Sequence, residues 1–541
     1  MNKIRIINPF ACSLLLLFLT GNIIATSAAA DENVLRLGLS SNEFKLMNAL
    51  TPPWGDEANS FGITHVSLVT FKPNLDIAPR LATDWNISSD GKSIRFNLVK
   101  NATWHDGQPI TAEDVAFSLD YWKKITHYAR GVWLNFSLDH VDVIDENTVD
   151  VYFNQPVAAA TLRCELESAF ILPKHVWENI ENPADYNGSD ALIGCGPFIF
   201  EKYDEDSQTV YLKANANYFA GRPSVDRIEW RYFNSLDSLL TALKNGEIDA
   251  QLDYYRPIPG VVAEDLIKED DVELSIVPDI AVPLHIVFGF RQYPMNVTEF
   301  RQAISYAVDC ESLVKMIADG YGEVPGRGYT PPTLSFYNPD LPKMEYDPKK
   351  AQEILNASGF IDIDGDGLRE APNGSKLRIP LTPYRWLNES SRAAEAIARQ
   401  LGDVGLDAYV ENLSPDAASK KVNDDRDYYI MVGHSTPYGN LMAAGGFADY
   451  FMDLPGMGGT CKDDEFINVV EKTMYAKDTE EANRWKKELQ ALVAREQPII
   501  PLIWGEAIYP VRTDRWEGWT EMDGFGPGNY WSWFSLRPKT S

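Results

Sequence analysis

The sequence predicts an α/β protein of several domains, and three observations predict it. Gly194 to Asp249 reads as one complete strand–helix–strand unit, strands and helices alternate again from Phe300 to Val493, and 541 residues exceed what one hydrophobic core can hold. In the first unit, Phe198, Phe200 and Tyr203, then Val210 to Leu212, predict an antiparallel pair after the turn signal Gly194-Cys195-Gly196-Pro197. Ile228, Trp230 and Tyr232 alternate with charged residues as in a half-buried strand. Leu236, Leu239, Leu240 and Leu243 then share one helical face, with Ser235 placed to cap it and Gly246 just past its end. The chain returns to a strand through Glu247 to Ala250, so a parallel neighbouring pair is expected, in a sheet that holds ligands at the carboxyl ends of its strands.

The remaining elements follow in chain order. Leu35, Leu37 and Leu39 predict a strand ending at Ser40, where a polar residue can face a ligand. Ile94, Phe96 and Leu98, a helix opening at Thr111-Ala-Glu-Asp114 with Val115, Leu119 and Trp122 on one face, and valines at 141, 143, 149 and 151 predict a compact α+β module. Beyond Phe300, helices are expected over Phe300 to Val308, from the cap Asp347 with Pro348 to Gly359, over Ala394 to Leu401, and around Phe466 to Thr473 and Trp485 to Val493. Strands are expected at Leu406 to Val410 and Tyr429 to Val432.

Charge excludes one large class of function. With 49 Lys+Arg against 78 Asp+Glu the chain carries −29, and binding a phosphate backbone needs clustered cations. Lys3 and Arg5, an apolar run from Phe10 to Leu19 and Ala28-Ala29-Ala30 form a secretory leader, residues 1–30, so the chain is expected to be exported, to the periplasm or the cell surface. Whether that segment is removed or kept as a tether on the outer face of the membrane is left open. No cysteines are spaced as a CxxC zinc or redox site.

Several motifs together resemble a known family. Leu81-Ala-Thr-Asp-Trp, Trp104-His-Asp-Gly-Gln, Thr111-Ala-Glu-Asp-Val, Gly194-Cys-Gly-Pro-Phe, Asn245-Gly-Glu-Ile-Asp and Tyr346-Asp-Pro-Lys-Lys-Ala resemble, in order, the family 5 extracellular solute-binding proteins that serve ABC importers of peptides, nickel and related solutes. The resemblance implies a two-lobed periplasmic-binding-protein-like fold of the large, three-domain type. Lobe I is then 31–63, 191–286 and 500–541, the extra module 64–190, and lobe III 287–499. It also implies a monomer that captures a peptide-like solute, uses no cofactor, is no enzyme and meets permease subunits. Within this plan Cys164–Cys195 and Cys310–Cys461 are the expected disulfides among three possible pairings, since each pair falls within one part of it.

Candidate ligand residues come from strand ends and from the resemblance. In dipeptide-binding relatives an Arg-Pro-Tyr holds the ligand carboxylate; here Thr382-Pro383-Tyr384-Arg385-Trp386 stands in its place, so Tyr384 matches and Arg385 is one step displaced. Gly433-His434 to Tyr438-Gly439-Asn440 lacks the Asp that meets a peptide ammonium group in many relatives, which keeps a nickel or metallophore complex as the alternative solute. Ser40, Trp54, Tyr254, Tyr255 and Trp504 are the candidates on lobe I. Asp362, Asp364 and Asp366 spell the first half of a calcium loop, but its twelfth position is Asn373, and a plain turn is the competing reading. A hydrolase is disfavoured, since neither a Gly-x-Ser-x-Gly elbow nor a His-Glu-x-x-His helix occurs. A ligand sensor for a receptor would use the same fold.

Overall fold

The alternating leucines make β1 (Val34–Ser40), the middle of the first sheet, with Leu35, Leu37 and Leu39 wholly buried. The computed structural model describes residues 33–40, 62–124, 137–157, 159, 162, 166, 169–180, 186, 188–253, 257–281, 284–384, 388–434, 452–453 and 459–539. The expected leader, 1–30, lies outside these. Among the described residues no helix is long and apolar enough to cross a membrane.

After β1 comes the α+β module. β2 (Ala82–Ile87), β3 (Ser93–Leu98), β4 (Leu138–Asp145) and β5 (Thr148–Phe153) form an antiparallel sheet in the order β2-β3-β5-β4, with α1 (Ala112–Lys124) against it. Asp114 makes the helix start. One carboxylate oxygen accepts from Thr111 N (2.9 Å) and the other from Lys174 N (3.0 Å), so a capping acid also pins the chain that follows.

The chain then builds the first sheet. β6 (Phe198–Asp204) and β7 (Thr209–Ala214) are the expected antiparallel pair, and β8 (Arg227–Phe233) leads into α2 (Leu236–Lys244), whose cap Ser235 accepts from Ser238 N at 3.2 Å. β9 (Ala250–Gln251) and β10 (Val272–Ala281) follow. β8 and β9 are parallel, as expected, but they are not neighbours: β1 lies between them and pairs in parallel with both. The crossover helix steps over β1, and Gly38 makes room for it, since a Cβ there would stand 2.5 Å from Ile248 Cδ1 and 3.3 Å from Leu239 Cγ.

The second lobe starts at β11 (Leu284–Phe288) and continues through α3 (Thr298–Ala307), α4 (Cys310–Ile317), β12 (Gly322–Glu323), α5 (Pro348–Ala357), β13 (Ile379–Pro383), α6 (Asn388–Asp403), β14 (Ala408–Val410) and β15 (Ile430–His434). α7 (Asp464–Met474), α8 (Thr479–Glu496) and β16 (Ile499–Pro501) complete it, and β17 (Trp504–Arg512) returns to the first sheet. The sheet orders are β10-β17-β9-β1-β8-β7-β6, with β12 also on β17, and β14-β13-β15-β11-β16.

Two family motifs act as structural ties. Asp249 of Asn245-Gly-Glu-Ile-Asp is wholly buried: its carboxylate accepts from Arg36 N (2.7 Å) and lies 2.9 Å from Arg515, so it locks β1 to the segment after β17. At Gly194 and Gly196 the chain crosses residues 63–64 so closely that a Cβ would stand 2.0 Å from Thr64 O and 2.3 Å from Ile63 O respectively. His105 of Trp104-His-Asp-Gly seals the crossing. Its Nδ1 accepts from Gly194 N (3.3 Å) and its Nε2 meets Gly196 O (3.2 Å), which requires the neutral tautomer with hydrogen on Nε2.

Both consequences are measurable. Gly194→Ala should cost about 3 kcal/mol or more, read as a fall in urea midpoint, because backbone rather than a flexible side chain blocks the new methyl. Burial holds the His105 imidazolium down to about 4 and, helped by His105, that of His65 to about 3. The unfolded chain therefore binds protons first, below about 6.5, and unfolding free energy should fall as pH drops from 6.5 towards 4. His105→Gln should flatten that slope, and an unchanged slope would contradict the assignment.

Candidate functional site

Strand registers place one end of each lobe at the same point. β10 and β17 are antiparallel neighbours, as are β11 and β16 in the other lobe, so a two-stranded ribbon runs through both sheets, with a break between β16 and β17 at 502–503. Ala250 of β9 lies opposite Val511, so β9 and its parallel partners β1 and β8 point their carboxyl ends towards Trp504, at the break. His434 lies opposite Leu284, so β15 and its parallel partners β13 and β14 end there too. Two sets of parallel strands thus end at one hinge, the place where open α/β sheets take ligands.

The lobe I side combines Ser40, half-buried at the end of β1, with Gln251, the last residue of β9, and Asp253 just beyond it, both wholly buried. Trp504 opens β17 at 1 % exposure, its ring 5.4 Å from that of Tyr329, whose hydroxyl lies 3.0 Å from His285 Nδ1. The Trp504 indole N–H has no hydrogen-bond partner among the described residues, an energetically costly state for a buried donor.

On lobe III, Thr382 and Tyr384 point from the end of β13 to the same side. Thr382 Oγ1 donates to Glu411 Oε2 (2.6 Å), and Lys421 Nζ donates to both oxygens of that carboxylate (2.6 and 2.8 Å), so the acid and the ammonium neutralise each other. Tyr384, 8 % exposed, receives a hydrogen bond from Asn423 Nδ2 at 2.8 Å. Lys421 and Asn423 sit on a π-turn, Lys420–Asp424, that continues the short helix Pro415–Ser419.

Of the expected ligand residues, the structure therefore brings Tyr384, Ser40 and Trp504 to the ends of strands that meet at the hinge. His434 closes β15 by its backbone; its side chain, with Arg385, Trp386, Tyr438, Asn440, Trp54, Tyr254 and Tyr255, lies outside the described residues. His285, Tyr329, Glu411, Lys421 and Asn423 were not singled out from sequence. Each is an ordinary polar residue at a position whose importance comes from register alone.

The calcium-loop expectation is altered. Asp362 and Asp364 lie together with Glu370, not Asp366, and Glu370 is 3 % exposed with Oε2 accepting from Ile363 N (2.8 Å). Lys376 Nζ sits 3.0 Å from Asp364 and 2.7 Å from Asp366 and supplies the positive charge that these carboxylates need.

The disulfide expectation is corrected. Cys195, Cys310 and Cys461 are free, buried thiols, and Cys164 lies outside the described residues. The reason is packing: Cys195 belongs to the core of the α+β module, Cys310 to that around α3 to α6, and Cys461 to that around α7 and α8. Burial raises each thiol to about 12. Ellman's reagent should find none of the three in the native protein and all three after denaturation without reductant; fewer thiols on denaturation would reinstate a bridge.

Comparison with known proteins follows this geometry. Residues 76–451 match the family described as Bacterial extracellular solute-binding proteins, family 5 Middle. The dipeptide-binding protein of Escherichia coli K12 is 27 % identical over 386 residues, 68 % of this chain and 69 % of its own. The nickel-binding periplasmic protein of the same organism is 25 % identical over 376 residues, again 68 % and 69 %. The crystal structure of a periplasmic oligopeptide-binding protein from Thermotoga maritima superimposes with a TM-score of 0.79 at 22 % identity, covering 94 % of this chain and 99 % of that one.

Proposed function

The chain belongs to the bacterial extracellular solute-binding proteins, family 5, and on that premise we propose that it holds a short peptide between its lobes outside the cytoplasm and delivers it to the permease subunits of an ABC importer. The observation that carries this reading is the convergence of two sets of parallel strand ends on one ribbon break. A solute bridging Trp504 and the residues around Tyr384 favours the closed arrangement by its higher affinity for it, and closure is what a permease can recognise. Binding alone does this; no bond needs to break.

The dipeptide-binding relative supports a peptide, and the polar but locally neutral wall around Glu411 and Lys421 suits amide groups. The nickel-binding relative supports one alternative, a chelated metal. Among the described residues, the only cluster of acidic, His or Cys side chains able to hold a metal is the Asp362 loop, away from the hinge.

Native mass spectrometry of protein purified without refolding should show a co-purifying mass in the range of a short peptide, and small-angle scattering should contract when that solute is returned to stripped protein. A metal-containing mass would favour the chelate instead, and turnover of the solute would end the binding-protein reading. Trp504→Phe removes the donor and should weaken binding about tenfold, and because the smaller ring leaves a void in a buried site it should also lower the melting temperature.

A further inference from the structure

We propose that a strap of lobe III, residues 319–323, is a third link between the lobes beside the two ribbon strands, and that its seat on Gly260 limits how far the cleft opens. The proposal rests on the reading that the lobes close on a solute, and deepens it by naming a part that sets the closing equilibrium.

Lobe I does not fill its own sheet. Along the edge of β17 that faces β9, Arg512 N donates to Asp249 O (2.7 Å) and Ile508 O accepts from Ile258 N (3.1 Å), both partners within lobe I. Nearer the break, the partners come from the other lobe. Glu506 N donates to Tyr321 O (3.1 Å), and Gly505 and Trp504 stand opposite Gly322 and Glu323 of β12. Without the strap these backbone groups would lose their partners.

The seat is a close approach. Tyr321 packs against the lobe I cluster that holds Ile258, Ala263, Leu266 and Ile508. Gly260 is the first residue of the short helix Gly260–Leu266, and a Cβ there would stand 2.3 Å from Tyr321 Cδ2, 2.6 Å from Tyr321 Cε2 and 3.0 Å from Asp319 Cβ. The three nearest atoms all belong to the strap. Its φ is not positive, and alanine is the better helix former, so this glycine suits the strap rather than the helix.

Both roots of the strap are fixed in lobe III. At the end of α4, Ala318 N and Gly320 N both bond to Val314 O (3.0 and 3.3 Å), and Asp319 and Gly320 turn the chain with φ of 52° and 87°. On the return, Pro325 O accepts from Met344 N and Arg327 N donates to Pro342 O (both 2.9 Å), while Lys343 Nζ holds Glu323 at 2.9 Å. Between these roots Gly322 and Glu323 are already extended, which leaves little slack. Wide opening therefore requires Tyr321 to leave its seat.

The test unseats the ring. Gly260→Ala places a methyl against it while favouring the helix, and Tyr321→Ala removes it without crowding lobe I. In stripped protein either change should speed hydrogen exchange at the Glu506 amide at least tenfold and enlarge the radius of gyration in small-angle scattering. Gly260→Ala made on top of Tyr321→Ala should add little, since the methyl then has no ring to meet. With a di- to pentapeptide retained by the wild type as probe, affinity should fall about fivefold, because fewer molecules stand near the closed form, and the scattering of the saturated variant should match that of the saturated wild type.

Faster Glu506 exchange with wild-type scattering and affinity would leave the strap a structural contact only and overturn the proposal. Unchanged exchange in both variants, or full additivity between them, would overturn the seat itself. If the wild type retains no peptide, the peptide reading fails, while exchange and scattering of the stripped protein still decide this one.

Discussion

The constraint on which the two-lobed architecture depends is the pairing of β10 with β17 and of β11 with β16. Each strand of one lobe continues into a strand of the other, and the two cross together, so the lobes share one ribbon of backbone hydrogen bonds. Its register determines where the other strands must end, and those ends are where a solute can be held. Gly322 and Glu323 reinforce the arrangement from lobe III by adding β12 to the start of β17, opposite Gly505 and Trp504. A strand that begins at the break is therefore gripped by both lobes at its first two residues.

Most elements were legible because their signals are local. Ser235 and Asp347 cap the helices that sequence assigned to them, and the alternation in Leu35 to Leu39 and Ile228 to Tyr232 gives strands as expected. What was not legible is order in space. No local pattern says that β1 slides between β8 and β9; that follows from Gly38 leaving space for the crossover helix, a contact between residues some two hundred positions apart. The motifs Gly194-Cys-Gly-Pro, read as a turn signal, and Asn245-Gly-Glu-Ile-Asp, read as a return to a strand, were equally visible. Their work is long-range, in a backbone crossing and a buried carboxylate.

The site divides the same way. Tyr384, Ser40 and Trp504 could be found because strand ends can be read from periodicity. Glu411, Lys421 and Asn423 could not, since their partners Thr382 and Tyr384 stand roughly thirty to forty positions earlier and meet them only through parallel pairing of β13 with β14 and an irregular turn. The acid and the ammonium cancel each other within the wall, so this pair adds no net charge to the end of β13.

The three thiols lie in three separate cores, each closed by apolar packing alone. Among the described residues, then, none of the three thiols needs an oxidant to reach its place in a core. These three sites need no oxidising surroundings to close, so their packing should be the same in the presence of an oxidant or a reductant.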